Sequence, residues 1–173
     1  MNVSITRDEA AELLLQASRY ALGRRTFITG VASGFAIAIA DRLTRAERMH
    51  IAELITDRES RRGLGDQHNA ADWARAREAL LADRPEPDLD EPVVLRESDA
   101  FLMLMSALRW AMSDGIADPT ELRLVRDVTP QLREGDRELV VREMLHEEGI
   151  STLAGNRFDP AWAELREELA ARH

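Results

Sequence analysis

Apolar residues recur at three- and four-residue steps along most of this chain. Ala10, Leu13, Leu14, Ala17 and Ala21 form one such stripe, the pattern of a helix with one buried face. Thr6 and Glu9 ahead of it have capping-box spacing, in which hydroxyl and carboxylate satisfy early backbone N–H groups reciprocally. Gly23 suits a left-handed helix end. A second helix is predicted from about Thr26 to Leu43. Thr44 with Glu47 caps a third, whose face is Ile51, Leu54 and Ile55. Asn69 with Asp72 opens a fourth, carrying Trp73 and Leu80. Asp118-Pro119 with Glu121, and Asp159-Pro160, are further helix starts, because proline suits the first turn. "PVVL" at 92–95 is too short to carry a sheet, and no run alternates with period two for long.

The pattern repeats. At a shift of 90, Ala10, Leu14, Ala17, Arg19 and Ala21 meet Ala100, Leu104, Ala107, Arg109 and Ala111, and Tyr20 meets Trp110. Ile51, Glu53, Leu54 and Ile55 meet Val141, Glu143, Met144 and Leu145, and Gly65 meets Gly155. One residue is then lost, and at a shift of 89 Trp73, Ala74, Arg77, Glu78 and Leu80 meet Trp162, Ala163, Arg166, Glu167 and Leu169. Tryptophan and glycine are rare, so their matching order points to duplication. The fold expected is all-α, with two tandem pseudo-repeated antiparallel helical units packed together. Residues 1–83 form the first, 84–98 an acidic proline-containing linker, and 99–173 the second. Trp73 and Trp162 are expected in equivalent packed positions.

Composition narrows the function classes. There is no cysteine, which removes disulfides, thiolate metal sites and cysteine catalysis. All 23 basic residues are arginine and the net charge is −9, which argues against direct nucleic-acid binding. The apolar run "FITGVASGFAIAIA" is 14 residues long, short of the roughly 20 that span a bilayer. No cationic start precedes an apolar run at the N-terminus. The expectation is a cytoplasmic protein of a bacterial host cell, with no membrane partner. Residues 1–85 carry 13 Arg against 12 acids, and residues 86–173 carry 10 against 20. The second half therefore presents an acidic surface, whose roles are solubility or engagement of a basic partner.

Candidate chemistry gathers where the two halves differ. "RYALGRRTF" (19–27) faces "RWAMSDGIA", so "GRRT" is not demanded by the repeat. Tyr20, Arg24, Arg25 and Thr26 are the candidate ligand- or partner-binding residues. Arginine forks at a helix junction clamp phosphate or carboxylate, and Tyr20 lies one turn before Arg24. The alternative is that both arginines cap the first helix or pair with Asp114 and Asp118. Gly30 and Gly34 have the spacing of a close helix approach. The apolar run 35–40 reads as a central helix buried on most sides, with a homodimer interface as one place for its remaining face. Asp66, His68 and Asp72 read as a capped loop before they read as metal ligands. His50 and His146 do not correspond, and both read as surface or interface residues. "FLMLMSALRWAM" reads as core, although methionine-rich surfaces also form adaptable grooves. No nucleophile elbow, phosphate-binding glycine loop or dinucleotide fingerprint occurs, so neither catalysis nor a cofactor or metal is expected.

"RYALGRRTF" at 19–27 and "GLGDQHNAADW" at 63–73 together resemble segments of small bacteriophage and prophage proteins. These carry "RYALGR", a threonine and an aromatic before an apolar helix, then a glycine-acid turn before tryptophan. The resemblance covers the first half only and lacks the cysteine-containing form of the turn. It implies a phage or prophage origin, without a mechanism. The leading expectation is a non-enzymatic binding protein that interferes with a host or defence component. The alternatives are a binder that sequesters a phosphorylated nucleotide, and an acidic decoy for a basic nucleic-acid-binding protein.

Overall fold

A computed structural model describes residues 1–23, 29–62, 70–155 and 157–171, with only the backbone of Thr29, Arg61 and Arg62. Strand β1 (Asn2–Ile5) leads into α1 (Arg7–Gly23), α2 (Thr29–Ile39), α3 (Arg45–Arg62) and α4 (Ala70–Leu81). Strand β2 (Val93–Arg96) leads into α5 (Glu97–Ala111), α6 (Pro119–Val128), α7 (Glu134–Leu153) and α8 (Pro160–Ala170). Each half thus runs as one short strand and four helices.

The caps explain where these helices begin. Thr6 N donates to Glu9 Oε2 at 2.7 Å, and Glu9 N donates to Thr6 Oγ1 at 3.2 Å. Thr44 and Glu47 repeat the device at 2.8 and 3.3 Å. In the second half, Asp118 Oδ1 accepts from Thr120 N at 2.8 Å, and Asp159 Oδ1 accepts from Ala161 N at 2.9 Å. A proline follows each aspartate, where its missing N–H is harmless. Asn69, expected to cap α4, lies outside the described residues.

β1 and β2 pair antiparallel, with Val3 opposite Leu95 and Ile5 opposite Val93. This corrects the expectation that 92–95 is too short for a sheet. "NVSI" and "VVLR" each alternate for only four residues, and they gain order from one another across ninety positions of sequence. No local window holds that information. Their inward side chains, Val3, Ile5, Val93 and Leu95, are all buried. The ribbon also places the end of the 84–98 segment within the folded body.

The core is aliphatic and continuous from both halves. α1 packs along α5, α2 and α3 close on α4, and α7 closes on α8. Trp73 and Trp162 are both fully buried. Their indoles differ: Trp162 Nε1 donates to Ile116 O at 3.0 Å, whereas Trp73 Nε1 has no partner among the described residues. The Trp162 bond depends on a turn at Gly115, which has φ +74° and a Cβ position only 2.8 Å from Arg157 O. Glycine alone meets both demands there. Gly115 O also accepts from Asp159 N at 2.8 Å.

Two further expectations are corrected. Gly23 closes α1 without a positive φ. A Cβ there would sit 3.3 Å from the Trp110 ring, so the small residue admits an indole and does not serve as a left-handed cap. Gly30 and Gly34 do not mediate close packing with any described residue, since a Cβ at either meets none of their atoms within 4 Å. The second helix ends at Ile39 and passes into a 3₁₀ turn, Ala40–Arg42. α2 is buried through Ala32, Phe35, Ala36 and Ile39, and it exposes Gly30, Gly34, Ile37 and Ala38.

Candidate functional site

Three concavities bear on the sequence expectations. The first lies beside the C-terminal turns of α1 and α5. Tyr20 is buried there, and the Arg109 guanidinium stands over its ring, 6.0 Å from the centroid. Arg109 Nε donates to Glu143 Oε1 at 2.5 Å. That bond raises the arginine pKa further above its ordinary value, against the opposing effect of burial. Tyr20, Arg109, Glu143, His146, Glu147 and Ile150 enclose about 260 Å³. Of the residues expected to bind a ligand, only Tyr20 can be placed. Arg24, Arg25 and Thr26 lie outside the described residues. In the described part of this pocket Arg109 is paired with Glu143, and Glu147 is also engaged.

The second concavity lies between α1, α3 and α6. Its walls include Asp8, Glu12, His50, Thr120 and Arg123, around about 270 Å³. Beside it, the buried Gln16 Nε2 donates to Glu12 Oε1 at 2.7 Å and to Glu121 Oε1 at 2.9 Å, joining the two halves. Burial pushes the Glu121 carboxyl from about 4.5 up to about 7, reinforced by Asp118, Glu12 and Asp114. Sequence reasoning treated Glu121 as part of a cap. Its convergence with Glu12 arises only when α1 meets α6. Among the described residues, no group of three His, Asp or Glu is placed to hold a metal ion. Asp66 and His68 lie outside them, and Asp72 pairs with Arg75.

The third concavity is the largest of these, a cleft of about 540 Å³ between α2 and β2. Gly30, Val31, Gly34, Phe35 and Ala38 line one side, and Val94, Leu95 and Arg96 line the other, with Asp99 from the first turn of α5. α2 carries no charged residue. Val94 is 59% exposed and Ile37 42%. Arg96 is engaged by Asp99, Nε to Oδ2 at 2.9 Å. The glycine spacing singled out in the sequence lines this cleft, and the period-two pattern that would have revealed its other wall is only four residues long.

The matching place, between β1 and the turn after α6, is closed. There β1 has its outer edge covered: Ser4 N donates to Gln131 Oε1 at 2.9 Å. Gln131 belongs to the 3₁₀ turn Thr129–Gln131, which follows α6. In the first half the corresponding turn, Ala40–Arg42, does not cover β2. Arg42 Nη2 instead donates to Glu91 O at 3.0 Å and Pro92 O at 3.2 Å, just ahead of the strand.

No helix among the described residues is long and apolar enough to cross a membrane. Compared with protein-family models, with curated proteins and with solved structures, the chain matches none.

Proposed function

We propose that this chain is a non-enzymatic binding protein that takes a partner protein on the α2–β2 side of the molecule. The observation that carries the reading is the α2–β2 cleft, open among the described residues, where the seam between β1 and the turn after α6 is closed. An uncharged helix face beside an uncovered strand edge is a surface of the kind used for partner contacts. The shared element order and paired caps support a further reading, that the chain is two tandem copies of one helical unit. One of the two seams between the copies is then filled while the other is free to engage a partner. Given the resemblance at 19–27, the role that fits is interference with a host or defence component.

The rival reading, a phosphorylated nucleotide held by Tyr20, Arg24 and Arg25, places its ligand beside the pocket of Tyr20 and Arg109. The acidic-decoy reading has one observation in its favour, the convergence of Asp114, Asp118 and Glu12 on Glu121. The test is affinity purification from infected host cells with wild type, Gly34→Arg, and Arg24→Ala combined with Arg25→Ala. A partner retained by wild type and by the arginine double variant but lost from Gly34→Arg is the expected result. Equal retention by Gly34→Arg removes the cleft from consideration.

A further inference from the structure

Glu97 N donates to Met1 O at 3.1 Å. With Val3 opposite Leu95 and Ile5 opposite Val93, the antiparallel alternation makes those same pairs the hydrogen-bonded ones. Val94 and Arg96 therefore turn their N–H groups away from β1, as Asn2 and Ser4 do on the other strand. Ser4 confirms the geometry, because its outward N–H is the one taken by Gln131. On β2, the outward N–H of Val94 has no such cover among the described residues, and it faces the cleft beside α2. Glycines at 30 and 34 leave gaps between the Val31, Phe35 and Ala38 side chains of the opposite wall.

We propose that this cleft is a strand-addition site, taking an extended segment of a partner protein along the outer edge of β2. The segment places an apolar residue over Gly30 and Gly34 and a basic residue beside the acidic approach to the strand. The proposal rests on the partner-binding reading above and specifies its mode. Main-chain bonds to Val94 and Arg96 supply the attachment, and the apolar helix face selects the side chain between them. The charge preference follows from Asp88 and Asp90, exposed immediately ahead of β2. Pro92, at the next outward position, has no N–H, so the edge offers donors only at Val94 and Arg96. That limit keeps the edge from acting as an open-ended template. A second copy of the chain fits poorly. Its own α2 flanks the same edge of its β2, so pairing two folded copies would force both helices into one seam.

The test uses the full chain and five synthetic seven-residue peptides of alternating valine and threonine with arginine at each end. Their central residue is varied among valine, isoleucine, leucine, phenylalanine and threonine. Titrations followed by amide NMR are expected to shift Gly30, Gly34, Val94 and Arg96. Gly34→Leu fills the cleft, and Val94→Pro removes the outward donor while sparing the residues bonded to β1. Each is expected to weaken binding by about tenfold or more, as is N-methylation of the peptide's central amide. Glutamate at the peptide ends should weaken it further. The methylated peptide is read on wild-type protein, so the result stands even if Val94→Pro fails to fold. Failure of all five peptides to bind at about 1 mM, or binding untouched by methylation and by Gly34→Leu, overturns strand addition. A cellular partner lost from Gly34→Arg but retained by folded Val94→Pro would keep the binding face and overturn this mode alone.

Discussion

The two outer edges of the short β-ribbon have been treated differently. On β1, the turn after α6 delivers Gln131 to the outward Ser4 N–H. On β2, the turn after α2 delivers Arg42 to the carbonyls of Glu91 and Pro92, and no described residue covers the edge beyond. Of the two seams where a strand of one half meets helices of the other, one is therefore closed and the other forms a cleft. The difference lies in side chains at turns, which tolerate change without disturbing the buried stripes. A similar contrast separates the two tryptophans. Both are fully buried, but only Trp162 has its N–H satisfied, by a turn that requires Gly115. A third contrast is electrostatic. Arg7 Nη1 binds Glu47 Oε1 at 2.6 Å, tying the start of α1 to the start of α3. The equivalent tie in the second half has reversed polarity: buried Glu97 accepts from Arg133 N at 2.5 Å and Arg133 Nε at 2.8 Å.

The largest expected effect tests whether the halves are equally anchored. Trp162→Ala and Trp73→Ala should each cost about 3–5 kcal/mol in chemical denaturation. A cost for Trp73 well below that range would mean the first half is the more loosely held. Next, Glu97→Ala should destabilise by about 1.5–3 kcal/mol, because it leaves the Arg133 N–H without its charged acceptor. A loss no greater than for an exposed glutamate such as Glu164 would remove Glu97 from this structural role. Replacing each tryptophan by phenylalanine isolates the indole bond. Trp162→Phe should cost about 1 kcal/mol more than Trp73→Phe, the net worth of one hydrogen bond. Equal costs would show that the two indoles are satisfied alike.

Glu121 gives a pH test of the seam between the halves. Its folded pKa is raised to about 7 from about 4.5, so the native state holds a proton that the unfolded chain releases. Its contribution is full below about pH 4.5 and is lost as pH rises through 7. Glu121 is half-exposed, so solvent screening limits the effect to about 1 kcal/mol. Glu121→Gln should therefore raise the melting temperature at pH 8 and leave it nearly unchanged at pH 4.5. A rise of the same size at both values would mean that Glu121 ionises normally. The smallest expected change is at Gly34. Gly34→Leu should leave stability unchanged or raise it by up to about 1 kcal/mol, since helix propensity improves and open space receives the side chain. A loss of 1–3 kcal/mol, as expected for overfilling a tight contact, would close the cleft argued for here.

The sequence by itself determined the helices, their caps and the buried stripes. Thr6 with Glu9, Thr44 with Glu47, Asp118-Pro119 and Asp159-Pro160 act over three or four residues, so their spacing already contains their geometry. The burial of Trp73 and Trp162 was legible for the same reason. Tertiary structure alone decided the rest. β1 and β2 are four residues each and exist only because distant segments meet. The glycines of α2 read as a packing motif, but spacing does not say which face of a helix finds a neighbour. Gly23 read as a cap, whereas its small size serves an indole from α5. Glu12 and Glu121 are 109 positions apart, and the carboxylate of Glu12 raises the proton affinity of Glu121 only when α1 packs on α6. Local physics wrote the elements, while the cleft, the open edge and the shifted carboxyl arise from long-range approach, to which local periodicity is blind.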